Sequence, residues 1–273
     1  MSKVAFAIAA HPDDIEFLMA GTMLQLSHVG YELHYMNVAN GCCGSTHIHR
    51  EELIRIRLAE ARDAAASLAA EHHHPLCDDL GIFYEPKLLA RLASIIRDAN
   101  PSVILTHAPL DYMEDHMNTS RLVTTAAFSR GMPNFQVSPP CPAVDTPVAL
   151  YHAQPYSNRT PLGEIIQPSI FVNTAPLQEK KSGLLALHAS QKNWLDESQG
   201  QDSYLETMKQ LDREVGRWSG RFDYAEGWRQ HLPIGFGPKD WNPLIEDLGQ
   251  QACLATDLQG LSLIHISEPT RLN

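Results

Sequence analysis

The sequence has no excess of positive charge and no long apolar segment, and each absence excludes a class of protein. Its 21 Lys and Arg residues against 32 Asp and Glu residues give a formal net charge of −11. Nucleic acids and anionic membranes repel such a surface, so neither is predicted as a partner. No apolar run approaches the roughly 18 residues of a membrane span. The apolar segment that follows the first three residues is too short for a secretory signal and lacks its small-residue cleavage pattern. We therefore predict a cytoplasmic protein without membrane insertion.

Cysteine is also scarce, and a dinucleotide fingerprint is missing. The five cysteines are odd in number and two of them, Cys42 and Cys43, are adjacent, which argues against a disulfide scaffold and favours a reducing compartment. No G-x-G-x-x-G pattern follows the first apolar run, which disfavours dinucleotide binding. We assign no role to Cys42 or Cys43, since free cysteine commonly fills small apolar spaces.

The chain length bounds the domain organisation. With 273 residues the chain can bury the core of one large domain, and we predict that residues 1–260 form a single domain. Residues 261–273 resemble the in-frame translation of a transposase-end adapter used in DNA sequencing libraries. We predict that this tail is not native, that it is disordered or loosely packed, and that it does not belong to the fold.

Apolar runs of strand length alternate with helical patterns, without tight hairpin dipeptides between them. Such alternation predicts βαβ units and a Rossmann-like, three-layer α/β/α fold with a mostly parallel sheet. The predicted strands are 4–9, 32–39, 75–80 and 102–107, with two short strands rimming the site at 149–152 and 169–172. The predicted helices are 14–28, 51–70, 86–99, 116–129, 176–188 and 203–218.

The pentapeptide Ala10-His11-Pro12-Asp13-Asp14 stands where the first apolar run stops and a helical pattern begins. Open α/β sheets bind ligands at the carboxyl ends of their strands, and an imidazole with carboxylates suits zinc. The alternative is a capped helix N-terminus, because Asp interacts well with the first turn of a helix. The residue types favour a metal site.

A second cluster, Asp111-Tyr112-Met113-Glu114-Asp115-His116, repeats this arrangement after the apolar run 102–107. Two such strand ends lie side by side in a parallel sheet, so His11, Asp14 and His116 could converge. Three protein ligands and one open position are typical of catalytic zinc, which polarises a carbonyl and lowers the pKa of bound water. Amide hydrolysis needs both effects, together with a carboxylate that is not a ligand.

The AHPDD signature, the D-Y-x-x-D-H cluster and the stretch from Lys181 to His188-Ala189-Ser190-Gln191 resemble the PIG-L/LmbE family of zinc-dependent de-N-acetylases. The resemblance implies a hydrolase that removes acetyl from an N-acetylated amino sugar or its conjugate. It implies Zn²⁺ or another divalent metal held by His11, Asp14 and His116, with Asp13 as general base. Spacing alone does not separate Asp13 from Asp14. Family habit favours a homo-oligomer.

Four further residues are candidates for the surroundings of the site. Arg57 matches a family arginine associated with substrate binding, and its guanidinium could bond sugar hydroxyls or a phosphate. Asp79 either bonds a substrate hydroxyl or ends a strand in solvent. His188, near Gln191, either lies by the substrate or makes a structural hydrogen bond. Asp115 either orients a metal-bound imidazole or acts as a capping carboxylate.

One position departs from the family pattern. Many members carry a second histidine three residues before the ligand histidine, and here that position is Met113, which neither donates nor accepts a proton. Either Asp13 performs both proton transfers, or Tyr112, Glu114, His107 or His188 supplies the missing group. Two alternative functions stay open: a zinc amidase acting on a non-sugar N-acyl amine, and a non-catalytic metal-binding or ligand-binding protein.

The run His72-His73-His74 also suggests a metal site. Alternate side chains of a strand point to opposite faces, so consecutive histidines are poor common ligands. We interpret the run as the surface entry to a strand.

Overall fold

The computed structural model describes residues 3–192 and 203–256, and one sheet of eight strands runs through them. The strands are β1 (Lys3–Ala9), β2 (Tyr31–Asn37), β3 (Ala70–His73), β4 (Val103–Thr106), β5 (Ala149–Ala153), β6 (Ile170–Asn173), β7 (Ala225–Gln230) and β8 (Ala252–Leu254). Their order is β3-β2-β1-β4-β5-β7-β6-β8. Pairing is parallel from β3 to β5 and antiparallel from β5 to β8. The predicted mostly parallel α/β fold is confirmed.

Helices cover both faces of this sheet. They are α1 (Asp14–Leu18), α2 (Ala20–His28), α3 (Arg50–Ser67), α4 (Pro86–Ala99), α5 (Glu114–Phe128), α6 (Gln178–Ala186), α7 (Ser203–Ser219) and α8 (Pro243–Leu248). The side chains of α2, α3 and α8 pack on one face of the sheet. Those of α4 and α5 pack on the other. Apolar residues on both faces explain why the inner strands are continuous buried runs rather than alternating patterns.

Several predicted elements differ from the structure. The strand predicted at 75–80 does not form: the strand of this region is β3, which ends at His73, before Pro75, whose nitrogen has no N–H to continue the ladder. The two strands predicted to rim the site are interior strands, since β5 lies between β4 and β7, and β6 between β7 and β8. The helix predicted at 14–28 is two helices, broken at Met19, whose φ of −134° is not helical. The sequence interpretation missed β7, β8 and α8.

The tail 261–273 lies outside the described residues, so the prediction about it stays a prediction. Among the helices of residues 3–192 and 203–256, none combines the length and the apolar character needed to cross a bilayer.

The buried side chain of Lys181 belongs to a network of ion pairs. Its Nζ lies 2.8 Å from Asp212 Oδ2 on α7 and 2.8 Å from Glu226 Oε1 on β7, and all three side chains are buried. Burial opposes the charged amine, but the two carboxylates outweigh it and raise the pKa of Lys181. Glu226 also accepts hydrogen bonds from the backbone N–H groups of Gly21 and Thr22 on α2. The network holds α2, α6, α7 and β7 together, so it positions the residues that follow α6.

Candidate active site

The site lies where the strand order changes direction. From β1 the chain proceeds outward to β2 and β3 on one side, and β4 with β5 lies on the other side. Loops that leave the carboxyl ends of β1 and β4 therefore diverge and leave a crevice between them, which is the usual ligand position in open α/β sheets. The loop after β1 carries His11 to Asp14, and the loop after β4 leads to His116.

His11, Asp14 and His116 meet in this crevice. One ligand atom from each lies within 4.8 Å of those of the other two. Nδ1 of His11 is 3.5 Å from Oδ2 of Asp14, and Nε2 of His116 is 3.4 Å from Oδ1 of the same carboxylate. The structure thus brings together the three residues that the sequence singled out as metal ligands.

The second nitrogen of each imidazole is held by another carboxylate. Asp115 Oδ2 is 2.9 Å from Nε2 of His11 and also accepts the backbone N–H of Leu80 at 2.7 Å. Asp111 Oδ1 is 3.1 Å from Nδ1 of His116. Such pairs fix the tautomer of a ligand imidazole and leave its other nitrogen free for the metal. The sequence analysis proposed this role for Asp115 but not for Asp111, although Asp111 opens the same cluster.

These residues fit a divalent transition metal. The donor set is two imidazoles and a carboxylate, each imidazole oriented by an acid, and the group opens into a cavity. His107, Asp111 and His116 form an overlapping group of similar size, but it is buried, and neither His107 nor Asp111 lines that cavity. Nε2 of His107 also accepts the backbone N–H of Ala10 at 2.9 Å. The first group is therefore the better candidate.

The charges in this cluster favour a cation between the ligands. Burial raises the pKa of Asp14, but His116 and His107 outweigh it and bring that pKa well below its usual range. Burial lowers the pKa of His116, yet Asp14 and Asp111 raise it to about 10. The carboxylates therefore attract positive charge strongly at this point, and a metal ion would compete there with protons.

Asp13 sits beside the ligands in an unusual backbone conformation. Its φ of 107° lies in a region that non-glycine residues rarely adopt, so the surrounding structure must hold it there. Although it occupies the N-cap position of α1, its side chain makes no capping hydrogen bond. Oδ2 accepts a hydrogen bond of 2.6 Å from the Tyr204 hydroxyl, and Oδ1 is 3.5 Å from Nη2 of Arg57. Burial raises the pKa of Asp13, against the opposite effect of Arg57.

The sequence analysis did not find Tyr204. It lies on α7, whose helical apolar spacing predicts only packing, and 191 residues separate it from Asp13. The Tyr204 ring packs on Phe17 with 5.4 Å between the ring centroids. No local signal in the sequence identifies such a partner, because the contact depends on where α7 docks.

A cavity of about 470 Å³ opens above these groups. His11, Asp13, Asp14 and His116 form its polar side. Its aromatic walls are Phe17, Tyr112, Tyr156 and Tyr204. This volume lies within the usual range of pockets that enclose small molecules.

Arg57 and Asp79 both line the cavity, and the glycine-containing loop after β2 packs between them. The Arg57 guanidinium donates to the carbonyl oxygen of Pro12 and is buried. Asp79 accepts the backbone N–H groups of Gly41 at 2.6 Å and Cys43 at 2.8 Å. Gly41 and Gly44 thus allow the loop backbone to approach the Arg57 guanidinium closely.

A substitution at Gly44 tests whether the position of Arg57 affects substrate binding. A Cβ at Gly44 would collide with Nη1 of Arg57 and lie 2.8 Å from Oε1 of Gln191. We expect Gly44→Ala to displace the guanidinium and to raise KM about tenfold, with metal content unchanged, because a misplaced group near a site costs up to about two orders of magnitude. Steady-state kinetics and metal analysis would measure both effects.

Gly183→Ala is the matched control. Gly183 lies on the exposed side of α6, and a Cβ there would meet nothing within 4 Å. Its kinetics should equal those of the unchanged protein. Equal KM values for the two variants would contradict a role for the Arg57 position in substrate binding.

His188 lies behind the cavity rather than in its wall. It is buried, and its Nε2 is 3.1 Å from Oε2 of Glu16, which also accepts a hydrogen bond from the Tyr35 hydroxyl. Gln191 lines the cavity instead. This geometry corresponds to the structural alternative for His188 rather than to contact with a substrate.

Of the groups proposed to replace the missing family histidine, Tyr112 is the best placed. Its ring lies 5.5 Å from that of His116 between centroids, and it lines the cavity with Met113. Burial raises the pKa of Tyr112, so its hydroxyl stays protonated and can donate. Glu114 does not line the cavity, and His107 is buried against His116 with 4.0 Å between the ring centroids.

Fold and site together define a class: an α/β protein with a metal-type ligand group and an adjacent buried carboxylate at the sheet's switch point. Comparison with known families agrees with this class. Residues 6–127 match the family model "PIG-L: GlcNAc-PI de-N-acetylase". Over these residues the chain is similar to the PIG-L family, and the resemblance predicted from the motifs is confirmed.

Three relatives extend the comparison beyond residue 127. The diacetylchitobiose deacetylase of Thermococcus kodakarensis is 26% identical over 240 residues, covering 83% of this chain and 82% of that protein. The N,N'-diacetylchitobiose deacetylase of Pyrococcus horikoshii has a TM-score of 0.71 at 23% identity, covering 89% of both chains. GalB, the 4-carboxy-2-hydroxymuconate hydratase of Pseudomonas putida KT2440, has a TM-score of 0.70 at 20% identity, covering 85% of this chain and 97% of GalB. The two structures show that the fold is shared over most of the chain.

Proposed function

We propose that this protein is a metal-dependent hydrolase that removes the N-acetyl group from an amino sugar or its conjugate, releasing acetate and a free amine. The observation that carries the proposal is the position of Asp13. It is a buried carboxylate outside the ligand group, and it shares one cavity with His11, Asp14 and His116. The family and the deacetylase relatives support this reaction.

His11, Asp14 and His116 would hold zinc or another divalent metal, which when bound polarises the amide carbonyl and activates water. The protein's own groups move the proton. Water adds to the carbonyl carbon while Asp13 accepts its proton, and the same proton then passes to the nitrogen as the C–N bond breaks. Tyr204 and Arg57 hold the Asp13 carboxylate in place from opposite oxygens. Tyr112 would donate a hydrogen bond to the oxygen that becomes negative.

The cavity walls support a sugar as the substrate. Phe17 lies 5.4 Å from Tyr156 between ring centroids, and Tyr112 lies 5.5 Å from Tyr156, so the three rings form one aromatic wall. Aromatic faces suit the apolar C–H face of a pyranose ring. Arg57 and Asp79 on the polar side would bond its hydroxyl groups.

The fold alone does not specify this chemistry, because one structure that shares it is named as a hydratase. The aromatic wall would equally accept a non-sugar N-acyl amine, so the amidase stays the alternative within the enzymes. A non-catalytic metal-binding protein is the alternative outside them. Metal identity, homo-oligomer formation and a cytoplasmic location stay predictions.

Amine release from a panel of N-acetylated compounds tests the proposal. The panel contains N-acetylglucosamine, its disaccharide and matched N-acetyl amines without a sugar ring, each incubated with metal-loaded and with chelator-treated protein. We expect amine and acetate in equal amounts from the sugars only, with the reaction abolished by chelator. Release from the non-sugar amines alone would favour the amidase, and no release from any compound by metal-loaded protein would refute the proposal.

A further inference from the structure

A second group of metal-type ligands lies along β2 and β3, at the edge of the sheet. The register pairs His34 with Glu71 and Met36 with His73. Because side chains alternate along a strand, His34, Glu71 and His73 all point to the same face. The consecutive histidines of β3 are indeed poor common ligands, as the sequence analysis argued. The partner of His73 comes instead from the neighbouring strand.

The ligand atoms of these three residues are close together. Nδ1 of His34 is 2.8 Å from Nε2 of His73, and Nε2 of His34 is 3.9 Å from Oε2 of Glu71. One ligand atom from each residue lies within 4.8 Å of the other two. The two imidazoles stack with 5.1 Å between centroids, and Phe6 of β1 packs against both. The imidazoles are therefore held in place before any ion arrives.

Exposure and charge favour binding of a cation here. Both imidazoles are partly buried, while the Glu71 side chain is 68% exposed and free to turn toward an ion. Glu71 and Asp98 supply negative charge nearby.

We propose that His34, Glu71 and His73 form a second site for a divalent transition metal such as zinc, nickel or copper. Two imidazoles and one carboxylate suit these metals. An ion there would join the edge strand β3 to β2 across the ladder. The site is built on different elements from the candidate active site, so the proposal does not depend on the proposed function.

Metal titration of the full, untagged chain tests this site. The titration uses the His116→Gln background, in which the active-site group has lost a ligand, and isothermal calorimetry with Zn²⁺ as the probe. We expect one remaining equivalent of zinc, and His73→Gln should weaken its binding at least about tenfold, since changes around a metal commonly cost 10–100-fold in affinity. His34→Gln should give the same result, and circular dichroism would confirm that both variants fold.

His72→Gln is the matched control. His72 is adjacent in sequence, but its ring is stacked on Tyr35 on the opposite face, with 5.9 Å between centroids. We expect His72→Gln to leave the affinity of the one remaining zinc equivalent unchanged. The proposal is overturned if the His116→Gln protein binds no zinc, or if its zinc survives both His34→Gln and His73→Gln. It is also overturned if His72→Gln weakens binding as much as His73→Gln, because the His34–His73 contact would then be a hydrogen bond only.

Discussion

Replacing Asp13 by Asn is expected to lower kcat by about 10³-fold, within the range of 10²–10⁴ typical of a lost general base. The amide has nearly the same shape but does not accept the proton of water. Tyr204 can still donate to its oxygen, so the local structure should persist. Because Asp13 is not one of the three ligands that converge, metal content should stay at the level of the unchanged protein. Turnover of an N-acetyl sugar and metal analysis on the same sample would measure both.

Tyr204→Phe should lower turnover less than Asp13→Asn does, and the two losses can be compared. It removes one hydrogen bond to Oδ2 but leaves the carboxylate and the Arg57 contact, so we expect a loss of about tenfold, as for one hydrogen bond of about 1.4 kcal/mol. The proposed role of Asp13 would be wrong if Asp13→Asn kept turnover close to that of Tyr204→Phe. It would also be wrong if metal were lost in parallel with activity.

Exchanging the two proposed ligand histidines should have the largest effect. We expect His11→Gln and His116→Gln each to lose bound metal at the active site and to reduce activity to background, since a catalytic site with two remaining protein ligands holds zinc poorly. Chelator should inactivate the unchanged protein in the same way, and added zinc should restore it. Metal analysis and turnover before and after chelation are the measurements.

His107→Gln separates the two overlapping groups that share His116. His107 stacks on His116 and lies 3.2 Å from Oδ2 of Asp14, but it does not line the cavity. We expect this variant to keep its metal, with some loss of stability from the buried stack. If it loses the metal while His11→Gln keeps it, then His107, Asp111 and His116 hold the ion instead.

The loops that carry the chemistry could be predicted because they are local features. Asp13 and Asp14 stand where the loop after β1 enters α1, and His116 stands in the first turn of α5 after β4, so both strand ends bring them to the same edge of the sheet. Helix α4 was predicted with the bounds that the structure has, since Pro86 opens it and its apolar residues keep one spacing. Prediction failed for elements whose existence depends on strand pairing. One example is β3, a short and polar strand that forms through backbone hydrogen bonds to β2.

The partners of the site residues could not be predicted in the same way. Tyr204 reaches Asp13 only through the docking of α7. His188 lies behind the cavity against Glu16, which also accepts a hydrogen bond from the Tyr35 hydroxyl. His34 and His73 are 39 residues apart, and only the strand register makes them neighbours. Each of these contacts depends on long-range packing, which leaves no periodic signal along the chain.

The sequence by itself determined the fold class, the two loops that carry the proposed ligands and the resemblance to the PIG-L/LmbE family, because alternating strands and helices and short motifs are properties of neighbouring residues. Only the tertiary structure decided which carboxylate orients which imidazole, which side chains enclose the cavity and which histidines pair at the edge of the sheet. The physical reason is that hydrogen bonds, ion pairs and metal coordination act over a few ångströms. Distances of that size between residues far apart in the chain exist only once the sheet has set the register and the helices have docked.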